Sequence, residues 1–256
     1  YPEEPVIKDY ISQYNINWPL EQDFWDSLIN YCDNLKVLYI NGGEPFLIDK
    51  HFAFLETLVE RGTSKDIEIV YSTNCTIINH TYEDIWKEFK SVQFMLSIDD
   101  IGERNEYIRT YTKWPKVLDF IDWMDDITDN NENLNYNILQ TVSTYNVYYF
   151  PEFYDYFAGK DISHNFVKDP AHFDPLILPQ TVQKAILERT KGYLWPPDLQ
   201  RGYNDLKNYF NIEGISYTDL DSMKVFFEKT RAMDVTRKDN FEITFPEFYD
   251  LIKDYE

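Results

Sequence analysis

Between residues 20 and 168, short apolar runs alternate with stretches whose apolar residues recur at helical spacing. No other feature constrains the fold as strongly. Alternation of that kind builds parallel strands joined by crossover helices. Leu20, Phe24, Trp25, Leu28 and Ile29 predict a helix over 20–31, and Leu35, Val37, Leu38 and Ile40 a buried strand over 35–41. Phe52, Phe54, Leu55, Leu58 and Val59 predict a helix over 49–61, which Gly62 should end. Strands are expected over 66–73, 91–99, 133–143 and 161–168, and helices over 82–89, 114–127 and 147–157. Asp125 to Glu132 reads as a solvated acidic turn, since it lacks the central glycine and terminal glutamate of a calcium loop.

The pattern changes after Pro170. Five prolines (170, 175, 179, 196, 197) punctuate stretches with helical character near 179–192, 199–211, 219–233 and 245–254. The expected division is a strand-and-helix part over 1–170 and a helical extension over 171–256. The extension has no cysteine and so offers no thiolate ligand.

A chain of 256 residues that is 43% hydrophobic and 18% aromatic can bury a core and is not disordered. Its formal charge of −21 argues against a general nucleic-acid grip, which needs clustered Lys and Arg. No apolar run approaches the roughly 20 residues of a membrane span. Tyr1-Pro2-Glu3-Glu4 is not a signal peptide. Two cysteines, Cys32 and Cys75, make neither a disulfide framework nor a metal site by themselves, and a reducing cytoplasm is the expected compartment. Cys32 reads as packing; Cys75 lies near a strand end. With no secretion signal, the sequons at Asn74 and Asn79 read as chance.

Chemistry concentrates where the first strand stops, at Asn41-Gly42-Gly43-Glu44-Pro45. Two residues without Cβ let the backbone turn sharply and let a ligand approach it. Glu44 then stands at a strand's carboxyl end, where α/β folds place their chemistry, and its carboxylate can accept hydrogen bonds from an ammonium group.

Asn-Gly-Gly-Glu-Pro-Phe-Leu after an apolar strand resembles the GGEP motif of radical S-adenosylmethionine (radical SAM) enzymes. The resemblance continues through Ser72-Thr73-Asn74, Ser97-Ile98-Asp99-Asp100-Ile101-Gly102-Glu103-Arg104 and Tyr107-Ile108-Arg109, and is nearest to the twitch-domain branch. It implies a partial (β/α)6 TIM-like barrel. A sixth strand would precede residue 1 and carry the cluster loop. The family's CxxxCxxC, whose thiolates hold a [4Fe–4S] cluster, is absent from these 256 residues. A chain that starts with Tyr is therefore expected to be a piece of a larger enzyme, cut just after that loop. In such an enzyme the cluster cleaves S-adenosylmethionine, and the 5′-deoxyadenosyl radical abstracts hydrogen from a substrate, here with a mild preference for a peptide or protein. The alternative is a cluster-less relative that binds a nucleotide-like ligand or a protein partner.

The resemblance implies that Gly42, Gly43 and Glu44, followed by Pro45, hold the cofactor's amino group. The residues themselves suggest further candidates at strand ends. Asn74 can line a pocket or serve as a turn residue. Ser97 and Asp99 share a strand face and suit ribose hydroxyls, or one of them caps the next turn. Arg109 can clamp a carboxylate, and Arg104 or Arg109 can compensate the Asp99-Asp100 pair. Thr141 and Ser143 would leave room for an adenine. His164 either lines the pocket or is internal. His51, His80 and His172 lack metal-ligand spacing. The aromatic run from Tyr145 to Phe157 reads as core with an amphipathic rim.

Overall fold

The computed structural model describes residues 18–193, 197–210 and 220–256. Residues 1–19 are expected to be irregular; 1–17 of them, and the ends of two expected helices at 211 and 219, lie outside the described residues, and Trp18–Leu20 form a 3-10 turn. In chain order the elements are α1 (Gln22–Leu28), β1 (Val37–Ile40), α2 (Asp49–Glu60), β2 (Glu68–Thr73), α3 (Glu83–Trp86), β3 (Ser91–Ser97), α4 (Gly102–Ile108), α5 (Trp114–Asp129), β4 (Leu134–Val142), α6 (Phe150–Tyr156) and β5 (Ile162–Phe166). Then come α7 (Gln180–Lys191), α8 (Pro197–Phe210), α9 (Leu220–Arg237), α10 (Phe241–Thr244) and α11 (Pro246–Ile252).

The strands form a five-stranded parallel sheet in the order β1-β2-β3-β4-β5. Sequential strand order is that of a (β/α) barrel; a doubly wound sheet reverses its order midway. Among the described residues after β5 there is no strand.

Two compact units divide the chain. One lies within Tyr1–Met95 and Asp119–Tyr136, the other within Leu96–Leu118 and Asn137–Glu256. In the first, the Phe46 ring sits among Tyr71 (5.3 Å), Trp86 (5.8 Å), Phe120 (6.0 Å) and Phe52 (6.3 Å). In the second, Tyr145 occupies the equivalent place among Phe173, Phe226, Tyr107 and Phe241.

Local signals explain most boundaries. Gly62 ends α2 with φ +73°; its N–H donates to Val59 O and that of Thr63 to Leu58 O, the paired bonds of a Schellman motif. The aromatic run distributes as its spacing predicts: Phe150, Phe153, Tyr154 and Phe157 are buried and Tyr156 is exposed.

Three expectations need correction. β1 is not buried on both faces. Leu38 and Ile40 pair in register with the buried Ile69 and Tyr71, whereas Val37 and Tyr39 lie on the face of Glu68 and Val70 and are 41% and 66% exposed. Only the helix-covered face of this edge strand is packed. The acidic residues 125–129 are not a turn; they continue α5, whose apolar face (Phe120, Met124, Ile127) remains buried to its end. The helix expected over 82–89 is a single α-turn, with a 3-10 turn before it.

Candidate functional site

The first candidate group lies in the first unit, where β1 ends. Gly42 and Gly43 adopt φ +93° and +50°, and a Cβ on either would meet nothing within 4 Å. Backbone conformation, not crowding, calls for glycine here. Glu44 returns to extended backbone and caps the 3-10 turn Pro45–Leu47, whose first position Pro45 fills without wasting an N–H.

The Glu44 side chain turns inward and is only 6% exposed. Oε1 accepts from Thr73 Oγ at 2.9 Å and from Phe46 N at 3.3 Å, and Oε2 accepts from Asn74 N at 2.8 Å. Burial pushes its carboxyl pKa up, and the three donors oppose that rise. The carboxylate therefore ties the end of β1 to the end of β2 through neutral donors alone. Glu44 and the two glycines line a cavity of about 570 Å³, whose other walls include Leu38, Ile40, Trp18 and Trp25.

Asn74 contributes through its backbone. Its side chain makes the turn that follows, with Oδ1 accepting from Thr76 N at 3.1 Å. His51, at the start of α2, is a core residue. Its Nδ1–H donates to Ile48 O, Nε2 accepts from Tyr71 O–H at 3.1 Å, and burial lowers its pKa to about 4.

The second group lies in the other unit, beyond β3. Asp99 is occupied on every side. Arg109 Nε lies 2.8 Å from Oδ2 as an ion contact off the hydrogen-bond direction, while Arg109 Nη2 and Thr141 N donate to Oδ1 at 3.2 and 2.9 Å. Its carbonyl accepts from Gln140 Nε2 and Asn146 Nδ2, and its N–H donates to Asn105 Oδ1. Ser143 N donates to Asn146 Oδ1 at 2.7 Å.

Asp100 is fully buried and pairs with Arg104, whose Nε donates to Oδ1 at 3.0 Å. Arg104 Nη2 also donates to Glu152 at 2.9 Å, and its guanidinium lies 3.9 Å above the Tyr149 ring. Asp100 Oδ2 has no hydrogen-bond partner, and burial pushes the carboxyl up to about 7 despite Arg104. Both arginines that could compensate the Asp pair do so, one each, and the Arg109 fork is turned to Asp99.

His164 belongs to neither group. Tyr154 O–H donates to its Nδ1 at 2.6 Å, its Nε2 lies 3.7 Å from Asp205, and Phe150 packs edge-on against the ring. Burial lowers its pKa, and the residue is internal. Ser97, half-buried, ends β3.

Gly42, Gly43, Glu44, Pro45 and Asn74 thus form one cluster, and Asp99, Arg109, Thr141 and Ser143 another. Sequence reasoning missed Thr73, Asn105, Gln140 and Asn146. Only Thr73 left a trace: it shares the parity of the apolar Ile69 and Tyr71 and so faces inward.

Cys32 and Cys75 are both buried; Cys32 follows the 3-10 turn after α1, and Cys75 follows β2. Among the described residues no group of three His, Cys, Asp or Glu side chains could hold a metal ion. This donor set does not fit an iron–sulfur cluster. No helix among the described residues is long and apolar enough to cross a membrane.

No protein-family model matches the chain, and no curated protein matches it. Solved structures of anSMEcpe resemble it at 18% identity. Polyhistidine-tagged anSMEcpe with bound AdoMet has a TM-score of 0.48 over 74% of this chain and 50% of that one. Native anSMEcpe with bound AdoMet and Cp18Cys peptide has a TM-score of 0.49 over 71% and 53%. The chain spans about half the length of those proteins. A likeness this distant assigns neither ligand nor residue roles.

Proposed function

We propose that this chain is the cofactor-binding part of a radical SAM enzyme of the twitch-domain-like branch. Gly42, Gly43 and Glu44 receive the ammonium group of S-adenosylmethionine. The observation that supports this most is Glu44 itself: a buried carboxylate facing a cavity, held by three neutral donors, with one lone-pair position of Oε2 left over. A cationic ligand would supply the charge this anion lacks. The glycine backbone leaves the approach clear. When bound, S-adenosylmethionine supplies the means of hydrogen abstraction; a peptide or protein is the favoured substrate class.

In the second unit, Ser97, Asp99, Arg109, Thr141 and Ser143 are proposed as further cofactor-binding residues. Their internal bonds favour a positioning role. His164, on β5, is proposed to support that strand rather than to touch the cofactor. The cluster ligands are proposed to lie outside residues 1–256, in an upstream CxxxCxxC segment. The division into residues 1–170 and a helical extension, 171–256, belongs to the same proposal.

Calorimetry of the chain with S-adenosylmethionine tests the first part. Binding that is lost in Glu44→Gln is expected; equal binding by that variant would overturn it. Extending the chain upstream and reconstituting it anaerobically tests the second: three cysteines and a cluster are expected. The two buried cysteines favour a second reading, a cluster-less protein that binds a nucleotide-like ligand or a protein partner. An upstream frame without cysteines would select it.

A further inference from the structure

We infer that Thr73 is a positioning residue for Glu44: its hydroxyl occupies Oε1, holds the carboxylate ionised, and leaves Oε2 to meet an ammonium group. The inference rests on the reading of Glu44 above and adds a residue to it.

Thr73 closes β2 and is 1% exposed. Its Oγ has two neighbours with fixed roles. Cys75 N–H can only donate to it, at 3.1 Å, and the ionised Glu44 Oε1 can only accept from it, at 2.9 Å. The hydroxyl hydrogen therefore has one destination. The relay runs Cys75 N–H to Thr73 O–H to Glu44, and each bond polarises the next.

The turn that supplies the first donor is itself fixed. Cys75 has φ +61°, and Asn74 Oδ1 gathers Thr76 N and Thr76 Oγ. Thr-Asn-Cys-Thr thus folds into a small cap whose product is an oriented hydroxyl.

The count of acceptor positions gives this orientation its consequence. A carboxylate offers about four. Thr73 and Phe46 fill Oε1, and Asn74 takes one position of Oε2. One remains, on the oxygen that Thr73 does not touch. A single N–H of a primary ammonium needs no more. Hydrogen bonds to the ionised form also keep a buried carboxyl from going neutral, and an uncharged Glu44 would have little to offer a cation.

The test uses the full chain labelled with 13C at glutamate carboxyls, with Glu44→Gln assigning the resonance. Thr73→Ser should titrate as the parent does. Thr73→Val removes a donor to the charged form, so the Glu44 midpoint should rise by about one pH unit. Should the valine variant not fold, Thr73→Ala carries the same expectation. Affinity for S-adenosylmethionine should fall about threefold in the valine variant at a pH midway between the two midpoints. Affinity for 5′-methylthioadenosine, which has no ammonium group, should not change. An unmoved midpoint, equal shifts in the serine and valine variants, or equal weakening of both ligands would overturn the inference. A midpoint raised in the valine variant, together with a parent chain that binds neither ligand, would leave Thr73's hold on Glu44 standing and remove the proposed function instead.

Discussion

Three buried carboxylates stand just beyond strand ends among the described residues, and they are held in two different ways. In the second unit, Asp99 and Asp100 each have an arginine: Arg109 for one, Arg104 for the other. In the first unit, Glu44 is held by a hydroxyl and two backbone N–H groups. All three are nearly buried, so burial does not distinguish them. The partners do. A carboxylate whose countercharge is built into the protein is committed to the fold. One held by dipoles keeps its charge available to something else. In a strand-end motif, what completes the charge is therefore more informative than the presence of Asp or Glu.

The largest effect expected from breaking this contrast is at Arg104. Arg104→Met strands a buried Asp100 and removes a partner of Glu152, and should cost about 3–5 kcal/mol in urea unfolding at pH 8. Asp100 supplies its own check, because its folded pKa, about 7, lies above its ordinary value of 3.8. For an acid raised in this way the protonated form is the one the fold prefers. Its contribution is complete below about pH 4 and is lost as pH rises through 7. The parent should thus lose stability relative to Asp100→Asn between pH 4 and 7, then run parallel to it. A parent that gained stability over that window would show that Arg104 outweighs burial.

A smaller loss is expected from Glu44→Gln, about 1–2 kcal/mol, because the new amide N–H₂ confronts N–H and O–H donors. If it costs more than Arg104→Met, the division between committed and available carboxylates fails. Smallest is Tyr39→Ser on the open face of β1, expected within about 0.5 kcal/mol, against about 2–4 kcal/mol for Ile40→Ala on the packed face. Equal losses would mean that both faces of β1 are covered in solution.

How much of this was legible beforehand depends on the range of each interaction. Periodicity located every strand, because alternation is local and burial enforces it. It misjudged Val37 and Tyr39, since a short apolar run reads the same whether one face or two are covered, and only strand order shows which. It missed α4, whose Gly102 to Ile108 stretch has little apolar pattern. It took Asp125–Asp129 for a turn because charge masked the continuing face of α5. At the site, the glycines and Glu44 stood out as a contiguous motif. Thr73 did not, because its tie to Glu44 spans 29 residues and only the pairing of β1 with β2 brings the two together. Arg109 and Asp99 were both noticed, yet which of two arginines served which aspartate was a matter of side-chain geometry.

Phe46 connects these scales. Its ring lies at the centre of the aromatic core of the first unit, and its amide hydrogen is given to Glu44. The same residue is thus an internal reporter of two events. Its exchange with deuterated solvent should require either unfolding of the core or release of the Glu44 carboxylate. A ligand that engages Glu44 would then slow exchange at this one amide and raise the melting temperature together, since whatever binds only the folded form is linked to folding.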